Sequence, residues 1–210
     1  MMPNPERAWH LAAATTIDRS EVERRIGPTR EPIEVLTGGL GNLNVRVGRD
    51  RVLRIRRDPS TLAKEATLLR RPWRALRTPE VLATGPDFLL LEYLELRPLP
   101  VSAGEAVGRA LAEIHALTYA KTGDLGADLS LVAPLPDEGF AARGYGHSNL
   151  SEAEPYLDPA LAARIAKFLD GDASAARDAL DVPVLCHCDF KVSNLHVTPD
   201  GELVLSLIHI

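Results

Sequence analysis

The first half of the chain alternates apolar and polar residues over short stretches, which is the pattern of half-buried β-strands. This alternation predicts strands at residues 33–37, 43–47, 51–57, 81–83 and 88–94, after a short helix ending near Arg25. The second and third strands form a predicted hairpin around residues 48–50. Leu62, Ala66 and Leu69 recur at helical spacing and predict one helix within the series. This half of the chain is therefore predicted to be β-rich.

Helical spacing is more frequent in the second half. The predicted elements are helices at 106–118, 159–169 and 173–180, a strand at 184–186 and a hairpin of 195–197 with 202–205. A stretch rich in Gly, Pro and Asp at 122–138 is predicted to be a loop, and Thr198 to Gly201 suit a type I turn. The whole pattern predicts an α+β protein with a β-rich N-terminal lobe at residues 1–94 and a mainly helical C-terminal lobe at residues 95–204.

Composition narrows the class of protein without changing this picture. Of the 210 residues, 45% are hydrophobic and 25% are charged, which is ordinary for a soluble globular protein. The net charge of -5 argues against a nucleic-acid partner, and neither a membrane-length apolar run nor a signal-peptide pattern is visible. Cys186 and Cys188 are too close along one strand to suit a disulfide. We therefore expect a cytoplasmic protein with reduced thiols and no membrane partner, and the sequence leaves its oligomeric state open.

The segment from His187 to Asn194 carries the candidate catalytic chemistry. Phosphoryl transfer needs a carboxylate that accepts the proton of an attacking hydroxyl, and oxygen ligands for magnesium on the phosphates. Asp189, followed five residues later by Asn194, can supply both from one loop. Lys191 can face the transferred phosphoryl group, and His187 can brace the loop by hydrogen bonding. The alternative is a plain polar loop before a hairpin, in which Asn194 is only a turn residue.

Two features of the first half can contact phosphates. The glycine-rich turn before the hairpin can direct backbone N–H groups toward an anion, and its candidate residues are Gly39, Gly41 and Asn42. Val52, Arg54 and Arg56 share one face of their strand, so an arginine can reach phosphates while Val52 contacts the base. Glu65 on the following helix can pair with Arg54 and hold it in place. Alternatively, the glycines only make a turn and the strand is a solvated basic surface.

An apolar strand from Leu89 to Leu94 ends at the predicted lobe boundary. Backbone groups of Glu92, Tyr93 and Leu94 can hydrogen-bond adenine there, and we call these three residues the hinge. The strand is equally typical of an ordinary sheet core, and the two interpretations are compatible with each other.

The order of these features is that of a protein-kinase-like fold. A glycine-rich turn, a basic strand, a helix glutamate, an apolar strand and a helix precede His-x-Asp-x-x-x-x-Asn. Over residues 33–204 the chain resembles the aminoglycoside phosphotransferase family, which also contains choline-kinase-like enzymes. The resemblance is carried by Val52-Leu53-Arg54, by the helix at 108–117, and by the loop at 186–191, which is similar to the family's His-Gly-Asp loop.

This resemblance implies a phosphotransferase that uses ATP and Mg²⁺ and acts on a small-molecule acceptor. In such an enzyme Asp189 would be the catalytic base and Asn194 a magnesium ligand. Arg54 would contact the ATP phosphates with Glu65 as its partner, and the hinge would bind adenine. Arg56 is a weaker candidate for the phosphate contact.

The chain departs from the family pattern at two places. Cys188 stands where the family usually has glycine, and no carboxylate follows Glu202, where an Asp that holds magnesium is expected. The C-terminal lobe is therefore interpreted as truncated and incomplete. Residues 205–210 read Leu-Ser-Leu-Ile-His-Ile, the peptide that the end sequence of a common sequencing adapter encodes. One interpretation is a non-native tail, and the alternative is a natural apolar strand end.

The activity expected of this form is accordingly weak or absent. A nucleotide-binding pseudoenzyme or regulatory module is the main alternative to an enzyme. A basic module built on the strand arginines is a third interpretation, which the net charge disfavours. The sequence does not identify the acceptor, because an aminoglycoside, choline, a sugar and an amino alcohol all fit.

Overall fold

The computed structural model describes residues 16–36, 42–56, 61–134, 142–170, 182–187 and 190–205. The chain divides into two compact units. Unit 1 comprises residues up to 113, residues 127–129 and those from 187 onward, whereas unit 2 comprises residues 114–126 and 130–186. The lobes placed at 1–94 and 95–204, and the tail at 205–210, stay predictions.

Within the described ranges the chain forms ten strands and five α-helices. In chain order they are α1 (Arg19–Ile26), β1 (Ile33–Leu36), β2 (Asn42–Val47), β3 (Arg51–Arg56), α2 (Leu62–Arg70), β4 (Val81–Thr84), β5 (Phe88–Glu92), β6 (Arg97–Pro98), α3 (Gly104–His115), β7 (Gly123–Leu125), β8 (Leu131–Pro134), α4 (Ala142–Ala153), α5 (Pro159–Asp170), β9 (Leu195–Val197) and β10 (Leu203–Leu205). α1 ends at Gly27, whose φ of 84° lies in the left-handed region that glycine adopts without strain.

Unit 1 contains a five-stranded antiparallel sheet with the strand order β1-β2-β3-β5-β4. β2 and β3 form the predicted hairpin, in which Val45 lies opposite Leu53 and Asn44 opposite Arg54. Because side chains alternate between the two faces, one face is apolar, and Val22 of α1 packs into it. The buried core on this face consists of Val22, Val45, Val47, Leu53, Phe88 and Leu90. The opposite face carries Arg54, which reaches α2.

A second antiparallel sheet in unit 1 has the order β10-β9-β6. It places β6, which follows the hinge, beside the hairpin that follows the candidate catalytic loop. The predicted hairpin turn is closed by a hydrogen bond from the Gly201 N–H to the Thr198 carbonyl at 2.9 Å. β10 is also joined to the loop before β4, since the Arg77 N–H donates to the Leu203 carbonyl at 2.7 Å.

Unit 2 is held together by a two-stranded sheet, a helix pair and a link between distant segments. β7 pairs with β8, and α4 packs against α5. The carboxylate of Asp158 caps α5 by accepting the N–H groups of Ala160 and Leu161 at 2.9 and 3.1 Å. The Leu185 N–H donates to the Leu117 carbonyl at 2.8 Å, which ties the segment before the catalytic loop to the end of α3.

The predicted fold class is confirmed, because the described chain combines an antiparallel sheet with helices. The predicted strands of the first half form within two residues of their expected bounds. The loop predicted at 122–138 is wrong, because β7 and β8 form there, and the strand predicted at 184–186 reduces to one bridge at Val184. The predicted helix at 173–180 lies outside the described residues. Where the structure is described, no helix is long and apolar enough to cross a bilayer.

Candidate functional site

Arg54 and Glu65 form the buried centre of the candidate site. Arg54 lies on β3 opposite Asn44 of β2, and Glu65 lies in the first turn of α2. The Arg54 guanidinium donates from Nη1 to Glu65 Oε1 and from Nε to Asn44 Oδ1 at 3.2 Å. Arg56 donates from its own Nη1 to the second carboxylate oxygen of Glu65 at 3.3 Å. The predicted pairing of Arg54 with Glu65 is therefore present, and Arg56 joins it.

The charges of this group are held largely out of water. The side chains of Arg54 and Glu65 are 9% and 1% exposed, and that of Arg56 is 15% exposed. Burial, and to a lesser degree the positive charge of Arg56, lowers the pKa of Arg54 to about 10. The guanidinium therefore remains charged at neutral pH. Within this group two cations face one carboxylate, and guanidinium groups are the donors that bind phosphate oxygens most readily.

Two of the three hinge amides already donate hydrogen bonds within unit 1. The Glu92 N–H donates to a carbonyl in the loop before β4 at 2.9 Å, and the Tyr93 N–H donates to the Asp50 carbonyl at 2.7 Å. The Glu92 carboxylate accepts from Arg77 Nη2 at 2.8 and 2.6 Å on its two oxygens. A base bound at the hinge would therefore use the Leu94 N–H or the hinge carbonyls as its partners.

Arg46 lies next to the candidate site, and the sequence analysis assigns it no contact with a nucleotide. Its guanidinium carbon lies 4.0 Å from the centroid of the Tyr93 ring. In the β2–β3 register Arg46 lies opposite Val52, so the residue predicted to contact the base has an arginine as its cross-strand neighbour. The predicted hairpin indicates this pairing, because a turn at residues 48–50 places Arg46 opposite Val52.

In the described part of the candidate catalytic loop, His187 and Asn194 are buried, whereas residues 191–193 are exposed. His187 is buried, and its ring meets that of Phe190 edge to face, with centroids 6.1 Å apart. Val192 to Asn194 form a 3-10 turn in which the Asn194 N–H donates to the Lys191 carbonyl at 2.9 Å. The Asn194 side chain is buried, whereas Lys191 is exposed. The turn thus holds the predicted magnesium ligand in the interior of unit 1.

Three predicted site residues lie outside the described residues, namely Gly39, Gly41 and Asp189, and so does Cys188. Asn42 begins β2 and lies opposite Arg56 in the sheet. The described residues contain no group of three or more His, Cys, Asp or Glu side chains that could hold a metal ion. Of the predicted site, the structure brings together Arg54, Glu65 and Arg56, with Val52 on the same strand.

The family of the chain follows from its match to a family model. The model for the phosphotransferase enzyme family matches residues 32–208. The chain belongs to this family, and the predicted family is confirmed. A search of the curated proteins found no match.

Solved structures of several phosphotransferases share the fold at low sequence identity. The gentamicin complex of APH(2")-IIa is 16% identical with a TM-score of 0.59, over 90% of this chain and 68% of that chain. The GDP complex of wild-type aminoglycoside 2'-phosphotransferase-IIIa is 16% identical with a TM-score of 0.61, over 86% and 66%. The macrolide 2'-phosphotransferase MphH from Brachybacterium faecium is 18% identical with a TM-score of 0.52, over 88% and 69%. The chain is thus a phosphotransferase-family protein with the kinase-like fold of these enzymes.

Proposed function

We propose that the chain transfers the γ-phosphate of ATP to a hydroxyl group of a small molecule. The observation that carries this proposal is the buried group that Arg54 and Arg56 of β3 form with Glu65 of α2. A carboxylate held between two guanidinium groups fixes both cations in position before any ligand arrives. Preorganised cations of this kind stabilise the charge of a transferring phosphoryl group without further reorganisation.

Nucleotide binding is assigned to three parts of unit 1. Arg54 would contact the phosphates, together with the backbone N–H groups of Gly39 and Gly41. Val52 would contact adenine, and the hinge would hydrogen-bond it through Leu94 or its carbonyl groups. Similar structures include a streptomycin–ATP complex of APH(2")-IIa and an ADP-bound APH(2'')-Ib, which supports a nucleotide ligand for this chain as well.

In the proposed reaction the acceptor oxygen attacks the γ-phosphorus and the bond from that phosphorus to the β-γ bridging oxygen breaks. Asp189 takes the hydroxyl proton, and ADP leaves with the bridging oxygen. Lys191 faces the transferred group, and His187 braces the loop. Mg²⁺, when bound, would neutralise charge on the phosphates. The amide oxygen of Asn194 suits this ion.

The acceptor is assigned only by class. The similar structures include complexes with gentamicin, streptomycin and kanamycin, and a macrolide phosphotransferase. These names favour a hydroxylated small molecule, and an aminoglycoside, choline, a sugar or an amino alcohol all meet that description. We place the protein in the cytoplasm, with neither nucleic acid nor membrane as partner.

A nucleotide-binding pseudoenzyme or regulatory module is the second candidate function. The observation that favours it is the same buried group of Arg54, Glu65 and Arg56. Fixed cations of this kind can bind the phosphates of a nucleotide whether or not phosphoryl transfer follows.

Asp189→Ala tests the proposal against the pseudoenzyme alternative. We expect this substitution to abolish magnesium-dependent ADP release with a panel of hydroxylated acceptors, and to leave ATP affinity by calorimetry within about threefold. Asp200→Ala, in the β9–β10 turn, is the matched control and should retain the starting activity. ATP binding without any turnover in the parent chain would favour the pseudoenzyme, and turnover that survives Asp189→Ala would exclude this aspartate as the base.

A further inference from the structure

Arg46 and Val52 lie side by side on the face of the sheet that carries Arg54. Cross-strand partners share a face, and the register pairs Arg46 with Val52 and Asn44 with Arg54. Val52 and Arg54 are two residues apart and therefore about 7 Å apart along the strand. That distance is of the order that a ribose spans between a base and its phosphates. If Arg54 contacts phosphates, Arg46 lies on the base side of the nucleotide.

The position of Arg46 is fixed by the turn between β2 and β3. Its Nη2 donates to the Arg49 carbonyl at 3.1 Å, and its guanidinium carbon stands 4.0 Å from the Tyr93 ring centroid. Tyr93 is held by the same turn, because its N–H donates to the Asp50 carbonyl at 2.7 Å. The planar cation and the aromatic ring are thus stacked before any ligand binds.

Two features of Arg46 are unusual for a side chain that only supports the sheet. Its Nε is buried with no hydrogen-bond partner in the part of the chain that the structure describes, and a buried donor without a partner costs free energy. The residue as a whole remains half-buried, so a planar ring can approach the guanidinium. A purine offers a π-face on which the cation can stack.

We propose that Arg46 is a nucleobase-binding residue, which stacks its guanidinium on the base while Tyr93 supports the opposite side. This inference rests on the proposed function. It assigns different parts of the nucleotide to two arginines on one face of the sheet. Arg46 binds the base and Arg54 binds the phosphates. The contact is with the π-face of the ligand, so it strengthens binding of any purine nucleotide and not of a ligand that lacks a base.

The test compares a ligand with a base and a ligand without one. Affinities of the full chain for ADP and for inorganic tripolyphosphate are measured by calorimetry, with the parent, Arg46→Met, Arg46→Lys and Arg49→Met. Arg49 is the matched control, because it is an exposed cation of the same turn whose contact with Arg46 uses only its backbone carbonyl. Thermal unfolding of each free variant accompanies the titrations, so that loss of folded protein is measured separately.

We expect Arg46→Met to weaken ADP binding about 5- to 30-fold and to leave tripolyphosphate binding unchanged. Arg46→Lys should bind ADP more weakly than the parent does, because an ammonium group keeps the positive charge but has no planar face to stack on a base. Arg49→Met should match the parent for both ligands. An equal loss of affinity for ADP and tripolyphosphate, or full ADP affinity in Arg46→Lys, would overturn the proposal.

Failure of this inference is distinguishable from failure of the proposed function. A parent chain that binds neither ADP nor tripolyphosphate contradicts both. A parent chain that binds both ligands, with ADP affinity unchanged in Arg46→Met, contradicts only the role of Arg46. A lower unfolding temperature in Arg46→Met with an unchanged ratio of the two affinities assigns Arg46 to support of the sheet and overturns the proposal.

Discussion

The Arg54 guanidinium and the Glu65 carboxylate form an ion pair between β3 and α2 whose side chains are 9% and 1% exposed. The two residues are eleven positions apart in sequence, and their contact fixes α2 against the face of the sheet that carries Arg54. Charges buried to this degree are tolerated only when each has its partner. The pair therefore supports the fold of unit 1 as well as the position of the proposed phosphate contact.

Glu65→Gln should destabilise the protein strongly. The substitution leaves Arg54 buried without a counter-charge and removes the carboxylate that Arg56 also contacts. Breaking a buried ion pair by removing one partner costs about 3–5 kcal/mol. Urea unfolding followed by circular dichroism measures the change. Glu21→Gln, which removes an exposed carboxylate from α1, is the control, and an equal effect of the two substitutions would argue against a buried pair.

Arg54→Met should weaken nucleotide binding more than Arg56→Met does. A hydrogen bond to a charged group contributes about 1.5–3 kcal/mol, so Arg54→Met should weaken ADP binding about 10- to 100-fold. Arg56→Met should weaken it by less than about fivefold, because Arg56 is assigned mainly to the second oxygen of Glu65. Calorimetric titration with ADP gives both values. The opposite order of effects would transfer the phosphate contact to Arg56.

The sequence predicts the Arg54–Glu65 pair because the strand alternation of β3 and the helical spacing of α2 are both regular. The alternation of β3 fixes the face of Arg54, and Glu65 follows in the first turn of a clear amphipathic helix. The stack of Arg46 on Tyr93 is harder to predict, since it depends on where the hairpin turns and on where β5 ends. The register between β2 and β3 decides which of the strand arginines contacts an aromatic ring. The composition of the strands alone does not show it.

Unit 2 is the part that the sequence predicts least well. α4 has two glycines among its twelve residues and no regular apolar stripe, so its periodicity gives no helix signal and its helical state depends on packing against α5. β7 and β8 lie in a stretch whose Gly, Pro and Asp content is typical of a loop. Gly123 allows the strands to pair closely, because a Cβ there would lie 2.3 Å from the Ala133 carbonyl oxygen.

Acid should weaken the contribution of Glu21 to the stability of α1. Hydrogen bonds from Arg25 and then Arg24 hold the pKa of Glu21 below its ordinary value of 4.5. As the pH falls below that value the unfolded chain takes up the proton first, so the contribution of Glu21 is present above about pH 4.5 and fades as the pH falls through the lowered pKa. The stability difference between the parent and Glu21→Gln should therefore shrink in acid. A difference that stays constant from neutrality into acid would contradict the assignment.

The contact between Arg77 and Glu92 should couple the loop before β4 to the hinge. Arg77 Nη2 donates to both carboxylate oxygens at 2.8 and 2.6 Å, and the side chains are 37% and 31% exposed. For a pair this accessible we expect a coupling free energy of about 0.5–1 kcal/mol from a double-mutant cycle of Arg77→Met and Glu92→Gln, measured by urea unfolding.

The exposed pair of Arg109 and Glu105 on α3 gives the matched comparison for that cycle. Its side chains are 60% and 86% exposed, so water and salt screen the charges, and the coupling should be at most about 0.3–0.5 kcal/mol. Added salt should reduce the coupling on α3 more than the coupling at the hinge, because partly buried charges are screened less. Equal coupling free energies with equal salt dependence would mean that the Arg77–Glu92 contact is an ordinary surface pair that does not couple the loop before β4 to the hinge.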